Sequence, residues 1–258
     1  MDYNLHTHTF RCGHAEGKDE EYVLCAIKNG YKTLGFSDHI PLKFEDGYES
    51  SFRVQMNSVE DYFSSLNNLK EKYKDKIEIF IGFETEYYPD YFEKMLSDAI
   101  KWEAKYLILG PHFYIPENLK NSQHIYSGTS DLTLLEEYST SVVNAMKTGK
   151  FTYVAHPDMF NYNGDKKSYQ RAIKKICVAS RELNIPLELN FLGIREKRIY
   201  PNESFWEVAG KEKALVTFGC DAHSPDAVYN EQALEKGKLL VEKYQLNYVG
   251  KPKIITLK

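Results

Sequence analysis

Seven short apolar runs alternate with amphipathic helical patterns along the whole chain, and this alternation constrains the fold more than any other feature of the sequence. Strands are expected at 3–8, 33–39, 77–84, 106–113, 151–156, 186–190 and 215–223. Between them, helical periodicity covers 19–29, 58–73, 91–103, 131–148, 166–184, 202–210 and 226–244. Local signals agree with these boundaries: Gly30 closes the first helix, and Ser58 opens the second with Asp61 three residues on. Strict alternation without a long linker implies a parallel sheet, either open and doubly wound or closed as a barrel. Nothing matches GxGxxG or GxxxxGK[ST], so the open nucleotide-binding form has no signature here. A barrel of seven or eight units suits the 258 residues better, read as a single domain over 1–258. The longest loops, 40–57 and 114–130, have the length of functional lids.

Composition narrows the partners. With 33 Lys+Arg against 37 Asp+Glu, a net charge of -4 and no basic block, neither nucleic acid nor a membrane surface is the expected partner, and a small molecule is. No apolar stretch approaches the roughly 18 residues that span a bilayer. The opening MDYNLHTHTF lacks the charged-then-apolar order of a signal peptide, so a cytoplasmic location is expected. Four cysteines without a CxxC pair are expected to be reduced.

The histidines are placed unevenly. Strand ends in a parallel barrel converge on one rim, where residues distant in sequence meet. His6 and His8 fall at the end of the first strand, His39 of the second, Glu84 of the third, His112 of the fourth, His156 of the fifth, and Asp221 with His223 of the seventh; His14 follows in the first loop. A spacing of two on a strand puts His6 and His8 on one side, and Asp221 and His223 likewise. Each motif alone has a plain structural reading: HxH is often incidental, Ser37-Asp38-His39 can cap a helix, and HPD or DAH can be turns. Together on one rim, imidazoles and carboxylates form the ligand set of Zn, Mn or Fe rather than the oxygen set of Mg or Ca. Nine ligands suffice for two to three divalent ions if a carboxylate bridges.

The segments HTHTFRCGHA, LGFSDH, GFETEYY, GPHF, AHPD, LELNFLGIR and FGCDAHSP, spread from residue 6 to residue 225, resemble the successive motifs of the polymerase and histidinol phosphatase (PHP) family. The resemblance implies an α/β fold, a distorted (β/α)7 TIM-like barrel with its metal site at the C-terminal rim of the strands. It implies a phosphatase that converts L-histidinol phosphate to L-histidinol and phosphate, a step of histidine biosynthesis, through water activated between metal ions. By resemblance, His6, His8, Glu84 and Asp221 hold one ion, Glu84 bridges to a second held with His112 and His156, and His14, His39 and His223 hold a third. Arg195 resembles the family's phosphate-contacting arginine, and an arginine fork suits a phosphate dianion. A second arginine that some members carry is replaced here by Asn161.

Within this reading Asp221 orients the attacking water or accepts its proton, Glu84 bridges, His223 is a candidate donor to the leaving alkoxide, and Arg11 is a further phosphate candidate. His124 is expected to be exposed in its loop. Cys12 and Cys220 are expected to pack as small apolar residues. Three alternatives stay open: a phosphoesterase for phosphotyrosine, nucleotide or sugar monoesters, an amidohydrolase-like metal hydrolase, and a metal-binding regulatory module.

Overall fold

In the computed structural model, which describes residues 1–257, eight parallel strands form one sheet in sequential order. They are β1 (Tyr3–Asn4), β2 (Thr33–His39), β3 (Glu78–Thr85), β4 (Leu107–Leu109), β5 (Phe151–Val154), β6 (Leu187–Asn190), β7 (Leu215–Gly219) and β8 (Asn247–Tyr248). The helices are α1 (Asp19–Lys28), α2 (Val59–Lys72), α3 (Pro89–Lys101), α4 (Leu132–Lys147), α5 (Lys166–Leu183), α6 (Phe191–Arg195), α7 (Glu203–Glu212) and α8 (Glu231–Tyr244). Each strand pairs in parallel with the next, as helical crossovers dictate.

The α/β class and the parallel alternation are as the periodicity implies, but the expected count of seven strands is one short. β8 has only two residues, both exposed, so it offers no apolar period to read. The helix α6 is also new. It is a single turn started by Asn190, whose side chain accepts from the amides of Leu192 and Gly193.

Strand ends differ from expectation in a way that matters for the rim. β1 stops at Asn4, yet the chain stays extended and Thr7 pairs in parallel with Ala222. His8 N donates to Ala222 O at 2.9 Å and Ala222 N to His6 O at 3.2 Å, so the continuations of the first and seventh strands join where His6, His8 and Asp221 project. On the other side, β2 and β3 pair in register so that His39 sits opposite Glu84. β4 ends before Gly110, and a Cβ there would lie 2.2 Å from Glu84 Oε1, so only glycine lets this backbone pass the carboxylate.

Helices form for legible reasons. α3 starts at Pro89, two residues earlier than periodicity suggests, because proline's fixed φ suits a first helical position. α5 buries Tyr169, Ala172, Ile173, Ile176 and Cys177 at helical spacing and ends on the left-handed Asn184. α8 begins at 231 rather than 226, where Asn230 accepts from Ala233 N; residues 225–228 form a 3₁₀ turn instead. The main core lies between sheet and helices, and a second cluster of Leu5, Tyr106, Ile108, Tyr153 and Ala155 packs separately. Tyr106 reaches Leu5 O at 2.8 Å through the gap left by Gly35. No helix among the described residues is long and apolar enough to cross a membrane.

Candidate metal centre

The eight residues singled out at the strand ends, with His14 of the first loop, lie together on one rim. Glu84, 1% exposed, is the hub. Its Oε2 lies 3.5 Å from His6 Nε2, 3.5 Å from His8 Nε2 and 3.3 Å from His39 Nδ1. Its Oε1 lies 2.9 Å from His156 Nε2 and 3.4 Å from His112 Nε2. One carboxylate thus faces five imidazoles in two sets, three at Oε2 and two at Oε1. Asp221 Oδ1 approaches His8 Nε2 and His223 Nδ1 at 3.3 Å and His6 Nε2 at 3.6 Å. Towards the open side, His223 Nε2 faces His14 Nε2 at 3.1 Å, and the His8 and His223 rings stack at 4.0 Å.

A second layer of carboxylates fixes the rings. Glu188 Oε1 lies 2.8 Å from His6 Nδ1, Glu86 Oε1 2.6 Å from His112 Nδ1, and Asp38 Oδ1 3.4 Å from His8 Nδ1. In each case the outer nitrogen is taken and Nε2 is directed inward, the arrangement by which outer carboxylates set tautomer and basicity of ligating histidines. Glu188 Oε2 also accepts from His156 N and from Asn190 Nδ2, and Asn190 Nδ2 reaches Asp221 Oδ2 at 3.1 Å. From sequence, Glu86 and Glu188 carry no assigned role, and Asp38 enters only as part of a possible helix cap. The available signal was a charged residue inside an apolar strand, as in LELN, or two residues beyond a ligand, as in ETE.

His156 (φ 30°) and Asp221 (φ 48°) occupy the left-handed region although neither is glycine, a strained conformation that persists only where surroundings impose it. At Asp221 the backbone is held by Arg195 on one side and by the His6 and His8 backbone at Ala222 on the other. Arg195 Nη1 donates to Cys220 O at 2.7 Å and its Nη2 to Asp221 O at 3.2 Å. The guanidinium expected to contact phosphate is thus engaged with backbone carbonyls, and it does not line the cavity. Arg11 is likewise engaged, by Asp19 and Asp61. His124, expected exposed, is partly buried on the cavity wall, where desolvation and the neighbouring histidines push its pKa down to about 4. Cys12 and Cys220 are buried, as small apolar packing implies.

The donors fit divalent metal. His6 Nε2, His8 Nε2, His39 Nδ1 and Glu84 Oε2 are buried without a hydrogen-bond partner, a state that is costly for polar groups unless a cation lies among them. Several triads, among them His6–His8–Asp221, His6–Glu84–His156 and His8–His39–His223, bring one donor atom each to within 4.8 Å of the others. Burial opposes the charge on Glu84 and Asp221, yet the His112 and His6 rings beside the first, and His6 and His8 beside the second, hold both carboxyls well below the usual range. Burial, with His8 next, keeps His39 and His223 neutral, so their lone pairs are available. Imidazole with carboxylate is the donor set of zinc, manganese or iron.

The centre forms the floor of a cavity of about 770 Å³ walled by Phe52, Phe113, Tyr126, Met159, Leu192 and Tyr200, with Glu196 and Arg198 as its charged groups outside the centre. Comparison with known proteins agrees with this architecture. The PHP domain model matches residues 4–191. A probable histidinol-phosphatase of Deinococcus radiodurans is 24% identical over 86% of this chain and 86% of its own length. The histidinol-phosphatase of Bacillus subtilis is 25% identical, over 84% and 92%. Among solved structures, the Lactococcus lactis histidinol phosphate phosphatase, crystallised with zinc, L-histidinol and phosphate, superposes with a TM-score of 0.72 at 17% identity, covering 99% of this chain and 97% of that one.

Proposed function

This chain belongs to the PHP domain family, and we propose that it is a metal-dependent phosphomonoesterase that hydrolyses L-histidinol phosphate to L-histidinol and inorganic phosphate. The observation that carries the reading is the hub: Glu84 presents each oxygen to a separate set of imidazoles on the floor of the cavity. The names of the relatives supply the substrate. His6, His8, Glu84 and Asp221 would hold one ion, Glu84 with His112 and His156 a second, and His14, His39 and His223 a third. Divalent ions bound there acidify water to a pKa of about 7 and offset the charge of phosphoryl oxygens.

The chain's own residues do the positioning. Asn190 fixes Asp221 Oδ2, leaving Oδ1 turned into the site to orient a water or take its proton. His223 has Nδ1 against Asp221 and Nε2 against His14, which suits holding an ion rather than protonating the leaving alkoxide. Arg195 holds the strained Asp221 backbone. Phe52 and Phe113, stacked at 5.6 Å, form an apolar part of the cavity wall.

Elemental analysis of purified, reconstituted protein is expected to give two to three equivalents of zinc, manganese or iron, and chelation is expected to abolish phosphatase turnover. Under one equivalent overturns the metal assignment. Across L-histidinol phosphate, nucleotide monophosphates, phosphotyrosine and sugar phosphates, a preference of about a thousandfold in kcat/KM for the first supports the substrate, and a flat ranking rejects it.

A further inference from the structure

Two charged side chains on the cavity wall, Glu196 and Arg198, have no part in the metal centre. Arg198 is the only lysine or arginine lining the cavity among the described residues. Its Nε and Nη2 lie 2.7 and 2.6 Å from Glu196 Oε2, and its Nη1 lies 3.3 Å from the hydroxyl of Tyr200, whose ring centre is 6.3 Å from that of His156. The guanidinium thus lines the same cavity whose floor is the candidate metal centre, joined to it through Tyr200. At 36% and 50% side-chain exposure the pair contributes little as a salt bridge, so a ligand can open it at small cost.

Glu196 is the informative member. A carboxylate on the wall of a cavity that admits a phosphate dianion repels it. That repulsion becomes selective if the substrate brings a cation of its own, because an opposed pair then rejects simple phosphates and accepts a zwitterion. In L-histidinol phosphate the ammonium is borne by the carbon next to the ester carbon, so phosphate and ammonium lie close together, as Arg198 and Glu196 do.

We propose that Glu196 and Arg198 form the specificity element of the cavity, Arg198 taking a phosphate oxygen and Glu196 the vicinal ammonium of an amino-alcohol phosphomonoester. This rests on the phosphomonoesterase reading above and assigns its selectivity to two residues that carry no ligand role.

The test uses the zinc- or manganese-loaded full chain and two substrates, L-histidinol phosphate and its des-amino analogue 3-(imidazol-4-yl)propyl phosphate. The ratio of their kcat/KM values is expected to fall about tenfold or more in Glu196→Gln, the size of one charge-assisted hydrogen bond. Arg198→Met is expected to raise KM for both, with partial recovery in Arg198→Lys. A Glu196→Gln ratio within threefold of the parent value, or an Arg198→Met KM equal to the parent for both substrates, overturns the assignment. Calorimetric binding of the two non-hydrolysable phosphonate analogues to the same variants separates the two readings: if no monoester is turned over, the phosphatase reading falls, while the affinity ratio still decides the roles of Glu196 and Arg198.

Discussion

Replacing Arg53 by methionine tests how the metal centre is held. Arg53 is 2% exposed and bridges two buried carboxylates, Glu86 and Glu117, while its Nη1 donates to Ile40 O at 3.2 Å. Glu117 also accepts from Tyr88 at 2.8 Å, and Glu86 holds His112 Nδ1. One guanidinium thus ties loop 40–57 to loop 114–130 beneath a metal ligand. Methionine fills similar space but leaves two buried carboxylates without their guanidinium, Glu117 with only Tyr88 and Glu86 with only His112, a situation that costs about 3–5 kcal/mol. For a chain of this length that corresponds to a fall of about 5–9 °C in Tm. Part of the loss is expected to return in the double variant Arg53→Met/Glu117→Gln, since one of the stranded charges is then absent. Metal affinity at the His112 position is expected to drop as well, because Glu86 without Arg53 favours a protonated His112 over a ligating one. Thermal unfolding by circular dichroism and a chelator titration read the two effects. A loss below about 1 kcal/mol, the value for exposed ion pairs, would refute the reasoning by showing that water reaches the network.

Three further outcomes follow from particular contacts. Arg195→Ala removes two charge-assisted bonds to the Cys220 and Asp221 carbonyls, so kcat for histidinol phosphate is expected to fall by about 10–100-fold with KM within about twofold; a raised KM with kcat preserved would restore the phosphate contact expected from sequence. Glu188→Gln keeps the shape beside His6 and loses the charge, and competition with a metallochromic chelator is expected to register a 10–100-fold weaker site, whereas parent-like affinity would reduce Glu188 to packing. Gly219→Ala would put a Cβ 1.6 Å from Glu188 Oε1, so denaturant unfolding is expected to show a loss of about 1–3 kcal/mol together with reduced metal content; full metal content would mean that Glu188 does not orient His6.

The cluster of candidate ligands was legible because its histidines and carboxylates fall at fixed places, the strand ends. Once strand and helix alternate, every strand ends on the same rim, and a histidine or carboxylate at that end has one destination. His39 and Glu84 show this well: 45 residues apart in sequence, they lie opposite each other in register. β8 was not legible, since two exposed residues carry no period, and neither was the capping turn α6, set by Asn190 alone. The backbone contacts of Arg195 were not legible for a different reason. Its motif placed it correctly beyond β6, but the direction of a guanidinium depends on which carbonyls lie within reach, and the left-handed turn at Asp221 presents two.

Outer carboxylates escape a residue-by-residue reading because their role depends on register rather than on type. Glu86 and Glu188 look like ordinary charges in a chain with 37 acidic residues until the backbone places each behind a histidine. This also changes the meaning of the formal charge of -4. Glu84, Glu86, Glu188, Asp38 and Asp221, five of the 37 acidic residues, are all buried around the rim, so as many charges as the whole net excess, and one more, are internal rather than on the surface. Such burial is tolerable only if cations lie among these groups. The same five carboxylates that make the sequence acidic therefore require positive charge at the floor of the cavity, and a protein acidic by count can present a phosphate with a cationic surface once its metals are in place.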